Sequence, residues 1–242
     1  MRKEEYFLMS SVEESMWWYR TLHQIVANAI TRYADTNSIT LLDAGCGTGG
    51  MLKFIRYRFP SATLYGLELM PEACDVARQK SGAEIKSGSI EHIEYADSFF
   101  DVVISLDVLE YDLDRDLAVS EFHRVLKPGG TLLLNLAAYQ WLHSYHDKAV
   151  GQKSRFTLRA VNRMLELHGF IKVYGSYWNF LLFPLMVLRR KFAPAGSASD
   201  VKPFHPVLDY LFSKTGFIET LILDKGIALP FGGSVFLVMR KK

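Results

Sequence analysis

Between residues 39 and 136, short apolar runs alternate with amphipathic segments, and this alternation constrains the fold more than any other feature of the chain. Ile39-Thr-Leu-Leu-Asp43, Thr63-Leu-Tyr-Gly-Leu67, Glu84-Ile-Lys86, Phe100-Asp-Val-Val-Ile-Ser105 and Thr131 to Leu136 read as strands. Helices are expected over Met51 to Phe59, over Pro71 to a stop at Gly82, and over Asp114 to Leu126 with Leu117, Ala118, Phe122, Val125 and Leu126 inward. Strands that are apolar throughout and separated by helices imply a parallel sheet covered on both faces.

Outside this stretch the pattern differs. Ser11-Val-Glu-Glu14 has the form of a capping box, and Leu22, Ile25, Val26, Ala29, Ile30 and Tyr33 recur at helical spacing, so a helix is expected over Val12 to Tyr33 and a break at Asp35 to Ser38. Residues 137–156 are polar, aromatic and rich in histidine. Thr157 caps a helix that stops at Gly169, and Phe170 to Asn179 reads as a strand. The apolar run Phe180 to Leu188 is followed by Arg189-Arg-Lys191, a Pro/Gly/Ser-rich break over Ala193 to Pro206, an apolar helix over Val207 to Leu223 and a last strand, Ser234 to Met239. The expected organisation is one domain over 1–242: a helical cap (1–38), a ligand-binding core (39–136), an acceptor-side segment (137–178), an apolar helical insertion (179–231) and a final strand (232–242).

Charge and composition exclude several function classes. Lys and Arg number 28 and Asp and Glu 26, a net charge of +2, in a chain that is 49% hydrophobic and 22% charged. That balance argues against disorder and against a nucleic-acid-binding surface. Cys46 and Cys74 form no CxxC pair, which gives neither a disulfide framework nor a metal-ligand set and fits a reducing compartment. The longest apolar run has nine residues, against about 20 for a membrane span. A cytoplasmic address is expected.

The chemistry is concentrated in Asp43-Ala-Gly45-Cys-Gly47-Thr-Gly49-Gly50, between a strand and a helix. Glycines there let the backbone approach a ligand, and the helix N-terminus offers free N–H groups. Gly45, Gly47 and Gly50 give GxGxxG, a dinucleotide fingerprint; Asp43, Gly45, Gly47 and Gly49 give DxGxGxG. Glu68 ends the next strand, nineteen residues past Gly49, where a carboxylate accepts both hydroxyls of a ribose. A nicotinamide oxidoreductase and an S-adenosylmethionine enzyme both fit the loop.

Resemblance separates them. DxGxGxG looks like the loop of class I S-adenosylmethionine-dependent methyltransferases. Phe100 to Glu110 resembles their fourth-strand segment, and Arg124-Val-Leu-Lys-Pro-Gly-Gly130 resembles the turn before their fifth strand. Lys86-Ser-Gly-Ser-Ile90 stands at their adenine loop, with Ser89 where many relatives carry Asp. The resemblance implies a doubly wound, Rossmann-like, seven-stranded and mostly parallel sheet with the last strand antiparallel, an N-terminal helix and a helical insertion before the last strand. It implies S-adenosyl-L-methionine as cofactor. Asp43, Gly45, Cys46, Gly47 and Gly49 would seat its methionine part, Glu68 and Leu69 its ribose, Ser89 and Ile90 its adenine, and Leu106 would close the pocket.

Two segments resemble one small-molecule and lipid-pathway branch of that family. Trp17-Trp-Tyr-Arg20 is similar to its WWF-R segment, which places Tyr19 and Arg20 at the cofactor; for the tryptophans, packing against the domain is the favoured reading. Ala138 to Asp147 is similar to its segment after the fifth strand. There His146-Asp147 is kept, but Gly151-Gln152 and Ser154-Arg-Phe156 replace GH and RRY. His146 is a candidate general base with Asp147 orienting it; alternatively Asp147 and Arg155 form an ion pair that fixes the loop. Tyr139, His143 and Arg155 are candidate acceptor contacts. The acceptor is expected to be small and hydrophobic or lipid-linked, with no nucleic acid, and residues 179–231 are a candidate lid, homodimer face or peripheral membrane contact. Aromatic clusters at Trp17–Tyr19, Tyr139–Tyr145 and Tyr174–Phe183 are expected to wall the acceptor pocket together. A cofactor-fold module without activity is a further alternative.

Overall fold

The computed structural model of the chain describes residues 3–35, 38–192 and 204–242. Thr36, Asn37 and most of the Pro/Gly/Ser-rich break, residues 193–203, lie outside the described residues. The sheet has seven strands: β1 (Thr40–Ala44), β2 (Thr63–Glu68), β3 (Glu84–Ser87), β4 (Phe100–Leu106), β5 (Leu126–Ala137), β6 (Phe170–Trp178) and β7 (Ser234–Lys241). Their order is β3-β2-β1-β4-β5-β7-β6. Strands β1 to β5 pair in parallel, and β7 runs antiparallel between β5 and β6. The strand order reverses between β1 and β4, and ligands of open α/β sheets bind beyond the carboxyl ends of the strands at such a point.

The helices are α1 (Lys3–Val12), α2 (Trp17–Tyr33), α3 (Gly50–Arg58), α4 (Pro71–Ser81), α5 (Arg115–Val125), α6 (Tyr145–Val150), α7 (Leu158–Leu167), α8 (Phe183–Phe192) and α9 (Pro206–Asp224). One face of the sheet packs on α2, α3 and α4 through Ile30, Leu52, Ile55 and Cys74. The other packs on α5 and α7 through Phe122, Val125 and Leu165. Helix starts and stops follow local chemistry. Asp114 accepts from the N–H groups of Asp116 and Leu117 to cap α5, Pro71 opens α4 and a left-handed Gly82 closes it, and Thr157 caps α7. Among the described residues no helix is long and apolar enough to cross a membrane.

Four expectations are corrected. The N-terminal helix is two helices: Ser11 lies inside α1 and its hydroxyl donates to Leu8 O, so Ser11 to Glu14 is no capping box. Glu13, 5% exposed, turns inward to Thr48 and Lys80, and the chain restarts at Trp17. Leu117 is 53% exposed while Ala118 and Phe122 are buried; the core-facing stripe of α5 runs through 118, 122 and 125. Lys127 to Gly130 lies within β5, absorbed by a register shift between Phe100 and Val102. Finally, the aromatic clusters do not share one wall. Side chains alternate along a strand, so Trp178 joins Trp18 on the α2 face at 5.4 Å between centroids. Tyr177 stacks on Tyr139 at 5.2 Å on the opposite face, and Tyr174 pairs with Tyr33.

Candidate active site

The glycine turn follows β1 and is tied to β2. Gly45 and Cys46 both donate their N–H to Leu67 O, at 2.8 and 3.0 Å. Gly45 has φ +92°, and a Cβ there would stand 2.4 Å from Val108, so only glycine closes this turn. Cys46 is buried beneath it, and Gly49, left-handed, leads into the N-terminus of α3.

Two buried carboxylates flank the turn. Asp43, at the end of β1, is 2% exposed; burial, with Glu68 and Glu13 nearby, pushes its carboxyl up to about 8. Glu68, at the end of β2, accepts from Gly47 N at 3.0 Å, Met70 N at 2.9 Å and the Tyr6 hydroxyl at 2.8 Å. Burial beside Glu68 pushes the Tyr6 phenol well up.

Tyr6 belongs to α1, which lies across the turn. Met9 packs on Gly47, where a Cβ would meet its methyl at 2.7 Å. Glu13 accepts from the Thr48 hydroxyl at 2.6 Å and from Lys80. Neither Tyr6 nor Glu13 was singled out from the sequence, because their partners lie 62 and 35 residues away.

The remaining candidate cofactor residues divide. Ile90 is buried, and the Ser89 hydroxyl donates to Glu91 and accepts its N–H, closing the loop after β3. Leu106 ends β4 opposite Asn135. Tyr19 lies edge-on to Trp18 and is partly buried. Arg20 is not brought to the strand ends: it is exposed and lines a cleft of about 510 Å³ between α2, α3 and α9, with Lys53, Trp17 and Phe217. Leu69 is 71% exposed.

A polar group that sequence reasoning missed lies beyond β4. Asp107 has φ +56° and accepts from Asn135 Nδ2 at both oxygens, at 2.9 and 3.0 Å. Asn135 Oδ1 in turn accepts from Trp178 Nε1 at 2.6 Å. Glu110 is fully buried and accepts from Ala137 N at 2.6 Å. Glu110 Oε2 is buried with no hydrogen-bond partner; burial raises both carboxyls, Asp107 to about 7. The i, i+3 spacing of two acids just past a strand was the one available signal.

The segment after β5 is organised around Asp147, which is fully buried. Arg155 reaches its Oδ1 at 2.7 Å. Arg190 of α8 reaches its Oδ2 at 2.9 Å, and Ser144 N and Oγ donate to Oδ2 at 2.8 and 3.0 Å. Burial alone would raise Asp147; the two guanidiniums outweigh it and hold the carboxyl below the usual range. Arg155 also donates to Ala138 O, so it braces the loop from inside. His146 precedes Asp147 on α6 and is partly exposed. His143 Nε2 donates to Gln152 O at 3.2 Å, and Tyr139 sits left-handed at φ +60°.

Residues 42–134 match the model of a methyltransferase domain family. The malonyl-[acyl-carrier protein] O-methyltransferase of Serratia marcescens is 38% identical over 108 residues, 44% of this chain and 42% of that protein. The fatty-acid O-methyltransferase of Mycolicibacterium smegmatis is 30% identical over 103 residues, 41% of this chain and 38% of that protein. The chain thus matches about two fifths of the length of these relatives. Among solved structures, the geranyl diphosphate C-methyltransferase of Streptomyces coelicolor has a TM-score of 0.58 at 14% identity, covering 90% of this chain and 75% of that one. The [4+2]-cyclase SpnF has a TM-score of 0.63 at 16% identity, covering 98% and 94%. Such low identities speak for the fold alone, and the cyclase shows why fold does not set function. Residues 42–134 thus match a methyltransferase domain, and the seven-stranded sheet that holds them has the Rossmann-like fold of these solved structures.

Proposed function

We propose that the protein transfers a methyl group from S-adenosyl-L-methionine to an O, N or C nucleophile of a small, hydrophobic or lipid-linked acceptor. One observation carries the reading: Asp43, the glycine turn and Glu68 converge at the carboxyl ends of adjacent strands, beside the strand-order reversal. The donor set suits the cofactor. The buried Asp43 carboxyl complements an ammonium group, and Glu68 accepts hydroxyl protons. When bound, the cofactor supplies a sulfonium methyl that is reactive in itself.

In this reading residues 39–136 bind the cofactor and residues 137–178 form the acceptor side. The chain's main task is to orient the nucleophile, which supplies on the order of 7 kcal/mol or more. His146 is the candidate base where the nucleophile must lose a proton. Asp147 is assigned to holding the loop, since its oxygens are already engaged by Arg155, Arg190 and Ser144. Ser89, Ile90 and Leu106 border the adenine side, and Tyr19 covers the site from α2. Support for the acceptor class comes from relatives named for malonyl-[acyl-carrier protein], fatty-acid and demethylmenaquinone substrates. Calorimetric titration with S-adenosylhomocysteine and with NAD tests the proposal. A binding isotherm for S-adenosylhomocysteine and none for NAD is expected; the opposite pattern would sink it. A His146→Ala enzyme with full turnover would remove His146 as base.

A further inference from the structure

Helix α9 is apolar on both sides. Inward, Phe212 meets Trp17 edge-on and Leu223 is buried, Asp209 accepts from Trp17 N at 2.9 Å, and Gly216 lies against Thr21, whose hydroxyl a Cβ would meet at 2.1 Å. Glu219, 2% exposed, accepts from Phe180 N and Leu181 N at 3.0 and 2.9 Å. Its outward side carries Val207, Leu208, Leu211, Phe217, Ile218 and Leu221, each between 44% and 61% exposed. A helix of a globular domain turns its apolar stripe to the core, and an exposed apolar patch of this size marks a contact surface.

We propose that the outward face of α9, extended by the exposed Leu181, Leu185 and Leu188 around α8, docks the protein on an anionic lipid surface. The charges around the face favour that occupant. Between Val207 and Leu221 the exposed charged residue is Lys214, beside Tyr210. Arg20 lies in the flanking cleft; at the helix end the exposed Asp224 is offset by Lys225, and Glu14 is paired with Lys53 at 2.6 Å. A second copy is disfavoured, because a two-fold contact would place this face on itself and bring Lys214 toward its own copy with no carboxylate between them. An acidic carrier protein would be read by several cations, whereas this face has six large apolar side chains for one. The basic run Arg189 to Lys191 contributes less: Arg190 is spent on Asp147, and Lys191 lies over Trp141.

Docking through α9 also places the candidate site. Helix α9 packs on α2 and, through Glu219, holds Phe180 and Leu181 just past the end of β6, so docking there brings the carboxyl end of β6 toward the bilayer. That last step rests on the proposed function and narrows it to acceptors resident in a membrane; the docking itself does not.

Sedimentation of the full chain with vesicles of phosphatidylcholine alone, and of phosphatidylcholine with phosphatidylglycerol, tests the proposal. The chain is expected to pellet with the anionic vesicles, and less so as salt rises. Lys214→Ala lowers the partition coefficient about fivefold, the value of one lysine near an anionic surface. Leu211→Glu with Ile218→Glu abolishes pelleting while the thermal midpoint holds, since both positions are exposed. A native chain that stays in the supernatant with anionic vesicles, or a double variant that pellets like the native chain, overturns the proposal. So does a concentration-dependent dimer in light scattering that the double variant dissociates. S-adenosylhomocysteine titration of the same preparation reads the catalytic proposal separately: pelleting without a binding isotherm supports docking and sinks catalysis.

Discussion

Glu68 and Asp147 are both buried carboxylates, and both collect several hydrogen bonds, but the donors differ in kind. Glu68 is held by two backbone N–H groups and a tyrosine hydroxyl. Asp147 is held by two guanidiniums, a backbone N–H and a serine hydroxyl. A neutral hydroxyl can be exchanged for a ligand hydroxyl at little cost. A buried guanidinium cannot leave without stranding its charge and that of its partner. The first carboxylate can trade partners more readily than the second, which supports the proposed binding on the β1–β2 side and bracing after β5.

Removing Arg155 is expected to have the largest effect. Arg155→Ala leaves Asp147 buried with Arg190 as its remaining cation, and breaking such a pair costs about 3 kcal/mol. Urea unfolding is expected to show that loss. A change below about 1 kcal/mol would mean that Arg190 and Ser144 suffice, and the contrast with Glu68 would collapse. Glu68→Ala tests the other side. It gives up hydrogen bonds to a charged group, worth about 2 kcal/mol, or roughly thirtyfold in S-adenosylhomocysteine affinity. Unchanged affinity by calorimetry would refute the ribose role.

Asp43 gives a pH dependence of known sign. Its carboxyl is raised to about 8 by burial, with Glu68 and Glu13 adding to it, so at neutral pH it carries a proton. A ligand ammonium favours the carboxylate and lowers that value, so binding releases a proton. Affinity for S-adenosylhomocysteine is expected to rise with pH up to about 8, by at most about tenfold per unit, and then level off. Titration in two buffers of different ionisation enthalpy measures the released proton, and a flat profile from pH 6 to 8 contradicts the assignment. The same shift makes the free protein lose stability as pH rises through this range, since the folded state binds the proton more tightly than the unfolded chain.

The legibility of the two regions in the sequence follows from the range of their contacts. The glycine turn and Glu68 were readable because the turn chemistry lies within one strand–turn–helix unit. So was the sheet, most of whose seven strands are marked by a local apolar run, β3 being the exception with Ile85 alone between polar residues. Asp147–Arg155 was weighed because the two are eight residues apart, whereas Arg190, 43 residues from Asp147, left no local trace. Ser11 to Glu14 shows the opposite failure. Its pattern is that of a cap, but Glu13 is drawn inward by Thr48 and Lys80, and tertiary contact overrides local preference. Nothing in Leu106-Asp107-Val108 announces the left-handed Asp107, and nothing in α9 announces which side faces out.

The smallest expected effect bears most directly on the exchange at Glu68. In the structure Tyr6 donates to Glu68 Oε1; in the proposed ribose role a ligand hydroxyl competes with it for the carboxylate. Tyr6→Phe removes that competitor and leaves Met9 of α1 and the following Glu13 in place over the turn. A hydrogen bond to a carboxylate is worth about 1.5 kcal/mol, so S-adenosylhomocysteine affinity is expected to rise by up to about tenfold while the free protein loses a similar unfolding free energy. If affinity falls instead, Tyr6 contributes to holding the ligand, and α1 is part of the binding wall. If affinity is unchanged and stability drops, the Tyr6–Glu68 contact is structural, and Glu68 resembles Asp147 more than its neutral donors suggest.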